Sequence, residues 1–454
     1  MRRTSAAFAA LFLLLGASCH TVADPQPPRR RAAAPAQSSL DDLERRTFQW
    51  FWDTANPKTY LVPDRWPTKS FSSIAAVGFG LTAYCIGAER GYVTREQARD
   101  RVVATLQSLL AMPTGPQATG TAGYKGFFYH FLDMDTGARY KDVELSTIDT
   151  TWLFSGILFC QSYFDRDDPA EKSVRDLAEK LYDAAEWDWA QPRPPAITMG
   201  WYPEKGFHTY DWRGYNEGMM VIILALGSPT HPVDPAAWPE WTKTYQWDTF
   251  YGQSFVQFAP LFGHQYTHMY IDFRGIQDAY MRDKGIDYFE NSRRATIAQR
   301  SYAIANPGQW KDYGANLWGL TACDGPGDMT IDNRRYHSYW GRGVAAGDIR
   351  DDGTIAPTAA ASSIAFTPDI SLAAIETMQK YPGVYREYGF ADAFNPTFNN
   401  GWVDIDYLGI DQGPIIAMIE NYRSGLVWNT MKKNPHIVQG LKRAGFTGGW
   451  LDSK

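Results

Sequence analysis

Apolar side chains recur at helical spacing through most of the chain beyond residue 39. Leu40, Leu43, Thr47, Phe48 and Phe51 share one face, and Ser39 with Asp42 reads as a capping box ahead of them. Thr94 with Gln97 caps a second stripe of Val103, Leu106 and Leu110. Asp168-Pro169 with Glu171 combines an N-cap, a first-turn Pro and a capping acid before Val174, Leu177 and Leu181. Further helical runs cover 73–90, 146–162, 215–226, 275–281, 288–305, 363–380 and 412–424. Period-two alternation is scarce, so the strands are expected to be few and short. The pattern predicts about ten to twelve helices. Long Trp/Gly/Pro-rich connections at 187–214, 229–262 and 306–357 join them, and loops of that length in a compact domain usually serve function. Short turns alternating with long aromatic loops suggest an all-α ring of helical hairpins with one elaborated mouth. No break divides the ordered part, so 40–454 reads as one domain.

The first residues have a different grammar. Arg2 and Arg3 precede an apolar run from Ala6 to Leu15, too short to span a bilayer as a helix. Residues 1–19 therefore read as an export signal. Its end, Gly16-Ala17-Ser18-Cys19, resembles a bacterial lipobox, with Gly16 where Leu is usual. Cys19 is the expected lipid attachment point, and the protein is expected in the periplasm or anchored at the outer membrane. Residues 20–39, rich in Pro, Ala and Arg, read as a disordered linker. The other cysteines, Cys85, Cys160 and Cys323, form neither a disulfide framework nor a CxxC pattern.

Composition narrows the partner. A net charge of −6 argues against nucleic acid. An aromatic share of 15%, with 17 Trp and 26 Tyr, offers flat apolar faces with polar edges, which match sugar rings as well as protein cores.

Four segments carry more acids and amides than a helical core needs. In the first, Asp142, Glu144 and Asp149 lie around the start of a helix. The second runs through Trp201, Tyr202, Trp212 and Arg213 to Tyr215-Asn216-Glu217. A carboxyl held among aromatics, as Glu217 is expected to be, has its charged form desolvated and suits proton donation. The third holds His264, Gln265, His268, Asp272 and Arg274. It lacks the HExxH acid of a zinc helix, so hydrogen bonding to hydroxyls is expected, with Asp272–Arg274 as a structural pair. In the fourth, Trp402 precedes Asp411, at the start of a helix beginning at Gln412. Asp411 is either an N-cap or a carboxylate that backbone N–H groups hold ionised, as a general base requires.

Ser146-Thr147-Ile148-Asp149-Thr150, Tyr215-Asn216-Glu217, His264-Gln265-Tyr266 with Ile271-Asp272-Phe273-Arg274, Trp318-Gly319-Leu320-Thr321-Ala322 and Gly409-Ile410-Asp411-Gln412-Gly413-Pro414 together resemble the glycoamylase-like domain. That family includes bacterial endo-β-1,2-glucanases and related β-1,2-glucan-degrading enzymes. The resemblance runs from about residue 40 to the C-terminus. It implies an (α/α)6 toroid with a glucan lying across its mouth. By position Glu217 matches the family's proposed general acid and Asp411 a proposed base or base relay, while Asp142, Glu144 and Asp149 fall in its other acidic cluster.

The expected function is hydrolysis of a β-glucan, foremost β-1,2-glucan, by an endo-acting, inverting two-carboxylate mechanism with catalytic residues Glu217, Asp411 and Asp149. Trp201, Tyr202, Trp212, Trp318 and Trp402 are candidates to stack on sugar rings. Arg213, Tyr215, Asn216, His264, Gln265 and Arg274, with Asp142 and Glu144, are candidates for hydroxyl contacts. No cofactor and no metal are expected. The expected partner is an oligo- or polysaccharide met by a monomer, with membrane contact only through the lipid anchor. The alternatives are an exo-acting or other-linkage glycosidase on the same fold, or a glycan-binding lipoprotein without activity. Intact Glu217 and Asp411 count against the last.

Overall fold

The computed structural model describes residues 35–452. The export signal, Cys19 and most of the linker lie outside the described residues. The first helix, Pro35–Thr54, starts inside the segment read as linker. Ser39 is therefore within a helix rather than at its cap, and its hydroxyl bonds Gln379 on a distant helix. Asp42 pairs with Arg45 and Arg46 instead of closing a capping box. The predicted face is nonetheless the buried one, since Leu40, Leu43, Thr47, Phe48 and Phe51 are all buried.

Two classes of helix alternate along the chain. Ile74–Glu89, Thr147–Tyr163, Met219–Gly227, Phe262–Tyr270, Pro357–Ala361 and Gly409–Arg423 are buried on nearly every side. A helix apolar all round can be stable only inside other elements. Between them, Arg95–Ala111, Pro169–Asp183, Tyr288–Ala305, Pro368–Gln379 and Pro435–Arg443 bury one face each. Ile74–Glu89 packs against both Thr147–Tyr163 and Gly409–Arg423, and Met219–Gly227 packs against Pro435–Arg443. Gln265 Nε2 on Phe262–Tyr270 donates to Ala359 O and Ser363 Oγ, tying that helix to Pro357–Ala361.

The capping signals hold at two of the three predicted starts. Thr94 and Gln97 close the expected box. Asp168 Oδ1 accepts from the N–H groups of Ala170 and Glu171, with Pro169 in the first turn. Helix content exceeds the expectation, because short pieces such as Ala237–Thr242, Leu426–Met431 and Gly449–Asp452 carry too few turns to show periodicity. The fold is helix-rich but not all-α. Among the described residues there are 21 strands, none longer than four residues, in two- and three-stranded sheets. They are short, as expected, but not few. Two-residue ladders leave no period-two signature to read. They shape the long connections: Gly200–Tyr202 pairs with Leu145–Ser146 and Gly206–Phe207, and Arg65–Trp66 pairs with Tyr407–Leu408.

Ile74–Glu89 and Thr147–Tyr163 approach so closely that only glycine fits at the crossing. A Cβ on Gly156 would lie 2.0 Å from Gly78 O, and one on Gly78 would lie 2.2 Å from Trp152 O. Both obstacles are backbone, which cannot rotate away. Gly156→Ala is expected to cost about 3 kcal/mol, the upper end of overpacking penalties, measured as a lower denaturation midpoint. An unchanged midpoint would show that the two helices can part freely. Cys85 and Cys160 meet at the same interface as free buried thiols, Sγ to Sγ 3.5 Å.

Candidate active site

The starts of five buried helices converge on one cavity of about 310 Å³. Ser73 and Ser146 cap two of them, and each hydroxyl accepts an N–H of the first turn. Ile148, Asp149 and Trp152 enter from the second of these helices, Glu217 from the turn before Met219, and Phe262 and Tyr266 from the fourth. Leu408 and Ile410 complete the ring from Gly409–Arg423. Asp149 and Asp411 thus occupy equivalent places, each the third residue of its helix and each following a cavity-lining isoleucine.

Glu217 faces the cavity with one carboxyl oxygen, Oε2, buried and unpartnered. Burial pushes its pKa up to about 7; its own backbone N–H offsets part of this, and the charge of Asp149 adds to it. The group therefore still carries a proton close to neutrality. Trp152, Phe262 and Tyr266, from other helices, line the same cavity as Glu217.

His130, which no motif singled out, stands beside this pair. Its Nδ1 lies 2.8 Å from Glu144 Oε1 and its Nε2 3.5 Å from Asp149 Oδ1. Burial alone would lower its pKa, but Asp149, Glu144 and Asp64 outweigh burial and hold it at about 9. Asp149 is itself raised by burial, while His130 and the 2.5 Å bond from Ser146 Oγ pull the other way. Because His130 titrates at about 9 folded and near 6.5 unfolded, its contribution to stability is complete below pH 6.5 and disappears as pH rises through 9. The stability gap between the unmodified chain and His130→Gln should therefore narrow across that window by on the order of 2 kcal/mol, discounted for the partial exposure of the ring. A gap independent of pH would remove the charged bridge.

Asp411 is 3% exposed and sits behind the cavity wall rather than on it. It is neither an N-cap nor held by backbone N–H groups, as the sequence suggested: Leu408 occupies the cap position, and Asp411 Oδ2 has no partner. Burial pushes its carboxyl up to about 7, a hydrogen bond with Asp392 draws it down, and the charges of Asp324, Asp64 and Asp404 raise it again. Asp392, wholly buried and facing Asp411, is raised well above the usual carboxylate range. Arg65 answers this acidic group, with Nη1 2.5 Å from Asp324 Oδ2 and Nε 3.1 Å from Asp64 Oδ2.

Two sets of side chains have the geometry to hold a cation: His130, Glu144 and Asp149, and Asp324, Asp392 and Asp404, each with ligand atoms within 4.8 Å of one another. In the first, the His130 ring already bridges the two acids. His264 and His268 form no such set. Burial lowers them to about 4 and about 3, and they bond Phe258 O and Ser292 Oγ.

The predicted sugar contacts divide differently from expectation. Trp212 is buried and donates from Nε1 to Thr147 Oγ1; Trp318 is also core. Trp201 packs against Tyr124 and Trp189, while Trp402 packs against two small core clusters. Tyr202 is covered by Lys205, whose Nζ lies 3.7 Å from the ring centroid. Tyr215 stacks among His264 and Tyr288, and Gln265 is committed to the link described above. Asn216 Oδ1 accepts from Gly218 N in the turn that carries Glu217. Arg213 pairs with Asp211 and Glu240, and Arg274 pairs with Asp272 as anticipated. Asp142 is exposed and does not line the cavity. The aromatic surfaces that do line it are Phe71, Phe131, Trp152, Phe262, Tyr266 and Tyr339.

Residues 209–435 match the glycoamylase family, described as "Putative glucoamylase". A curated relative, the exo β-1,2-glucooligosaccharide sophorohydrolase (non-reducing end) of Parabacteroides distasonis, is 29% identical over 440 residues, 89% of this chain. The chain spans 57% of that relative's length. The endo-β-1,2-glucanase of Chitinophaga pinensis, solved with sophorotriose and glucose, is 29% identical with a TM-score of 0.81, covering 92% of this chain and all of that one. A "putative glucoamylase" of Bacteroides uniformis is 32% identical with a TM-score of 0.82, covering 93% of this chain and all of that one.

Proposed function

The chain belongs to the glycoamylase family, and from that premise we propose that it is a glycoside hydrolase that cuts β-1,2-glucan internally and with inversion, using Glu217 as the proton donor. One observation carries the reading: Glu217 presents a desolvated carboxyl, protonated close to neutrality, to a cavity with further acids around it. Glycosidic hydrolysis needs such a proton on the leaving oxygen and an activated water on the opposite face of the sugar ring. Asp411 is the proposed base, acting directly or through a substrate hydroxyl, and Asp149 sets the charge that Glu217 feels. The alternation of fully buried with one-sided helices is what the inner and outer rings of an (α/α)6 toroid require, and 40–454 forms its catalytic unit. The named activities of two relatives support the β-1,2 linkage, one exo and one endo.

The test is incubation of the chain with linear β-1,2-glucan, sophoro-oligosaccharides and a panel of other glucans, with products separated by chromatography. A ladder of short β-1,2-oligosaccharides supports the proposal. Release of disaccharide alone from the outset assigns exo action, and cleavage confined to another glucan sinks the linkage. Proton NMR of the first-formed anomer tests inversion. The proposal includes export and lipid attachment at Cys19, so Cys19→Ala should move the protein from the membrane fraction to the soluble one.

A further inference from the structure

Beside the catalytic cavity runs a larger groove of about 610 Å³. Arg65 and Phe71 line both. The Phe71 ring lies 4.1 Å from Phe131, which faces the catalytic side, and 4.7 Å from Tyr140, which faces the groove, so the two spaces meet across a short aromatic ridge. Next to Arg65 in the same strand is Trp66, a large aromatic left exposed on the groove. Pairing of Arg65–Trp66 with Tyr407–Leu408 fixes both residues against the strand that delivers Leu408 to the catalytic cavity. The indole N–H makes no hydrogen bond within the described residues. The groove has a mixed lining: Pro57, Pro63 and Met134 add apolar surface, and Asp53, Asn56, Thr68, Lys69 and Asp135 supply polar groups.

We propose that this groove is a second saccharide-binding site, in which Trp66 is the platform for a glucosyl ring of the same chain whose scissile bond lies in the catalytic cavity. The inference rests on the proposed glucan hydrolysis and deepens it by making chain length the feature selected. Two properties of the groove favour such a ligand. An exposed indole offers an apolar face to the face of a pyranose, and the carboxylates, amide and ammonium around it supply acceptors and donors for its hydroxyl rim. The catalytic cavity is at the low end of ligand-site volumes, whereas the groove is about twice as large, so a polymer cut internally must continue beyond the first. Continuity through Arg65 and Phe71 places that extension here. A disaccharide would leave the groove unused, while longer chains would gain its stacking and hydroxyl contacts.

The experiment uses two readouts on the full chain, comparing the unmodified residue with Trp66→Ala and, separately, Lys69→Ala. Calorimetry in a Glu217→Gln background measures binding of a long β-1,2-glucan and of its disaccharide; turnover of both lengths is measured with Glu217 intact. The expected result is a ratio of long- to short-chain kcat/KM about tenfold lower in Trp66→Ala, with a matching loss of long-chain affinity. Lys69→Ala should shift the same ratio less. Equal effects on both lengths, no effect on either, or no binding of the long glucan by the unmodified groove would overturn the second site. If the unmodified chain cleaves neither substrate but still shows length-dependent, Trp66-sensitive binding, the proposed reaction fails and the groove stands.

Discussion

Replacing Glu217 by Gln should lower kcat/KM on β-1,2-glucan by about 10²–10⁴-fold, the usual contribution of a positioned general acid. The substitution keeps the shape and removes only the transferable proton, so binding of long glucans should change little and the loss should lie in kcat. A glycosyl fluoride of the same sugar gives the sharper check. Fluoride departs without protonation, so the variant should keep most of its turnover on that substrate while losing it on the glucan. Equal loss on both would show that Glu217 serves some other step. The pH profile follows from the same environment. With Glu217 at about 7, the alkaline limb of kcat/KM should bend near neutrality and disappear in the variant. An alkaline limb unchanged by Glu217→Gln would sink the assignment.

Asp411→Asn should cost a similar factor, 10²–10⁴-fold, with the fluoride substrate affected as strongly as the glucan, because the attacking water is needed for both. The acidic limb of the profile should go with it. Since Asp411, Asp392 and their neighbours titrate as an interacting group, the measured limb belongs to the cluster and not to one carboxyl. The stability effect has the opposite sign. Asp411 is raised to about 7 from an ordinary value near 3.8, so its ionisation destabilises the folded chain, and this cost grows as pH climbs from about 4 through 7. Asn carries no such charge, and the variant should melt higher than the unmodified chain at pH 8 and no higher at pH 4. Lower activity with higher stability is the pattern of a site held in a costly state for function. A variant that is both inactive and less stable at pH 8 would mark Asp411 as structural.

Much of the architecture was legible in the residues themselves. Thr94 with Gln97 and Asp168 with Pro169 start helices because their side chains satisfy first-turn N–H groups locally, whatever surrounds them. The runs at 73–90, 146–162 and 412–424 were legible as helices from their apolar content, but not as interior ones: the last carries Gln412, Glu420 and Asn421, which only the fold shows to be buried. Glu217 was recognisable as an acid set against an apolar helix. Its proton affinity, however, comes from burial in a cavity that other helices help to wall and from the charge of Asp149.

What only the tertiary structure decided is which side chains share a space. His130, Asp64 and Arg65 lie in short loop ladders without periodicity, and nothing in sequence joins them to Asp149 or Asp411. The choice among 17 Trp was equally non-local: Trp212 and Trp318 are consumed by core packing, Trp152 turns to the cavity and Trp66 to the groove. Local sequence sets hydrogen-bond caps and the width of an apolar stripe, because both are satisfied within a few residues. Burial of a charge, the partner of a carboxylate and the exposed face of a ring depend on surfaces brought together from far along the chain. Those were settled by the packing of the helices around the cavity.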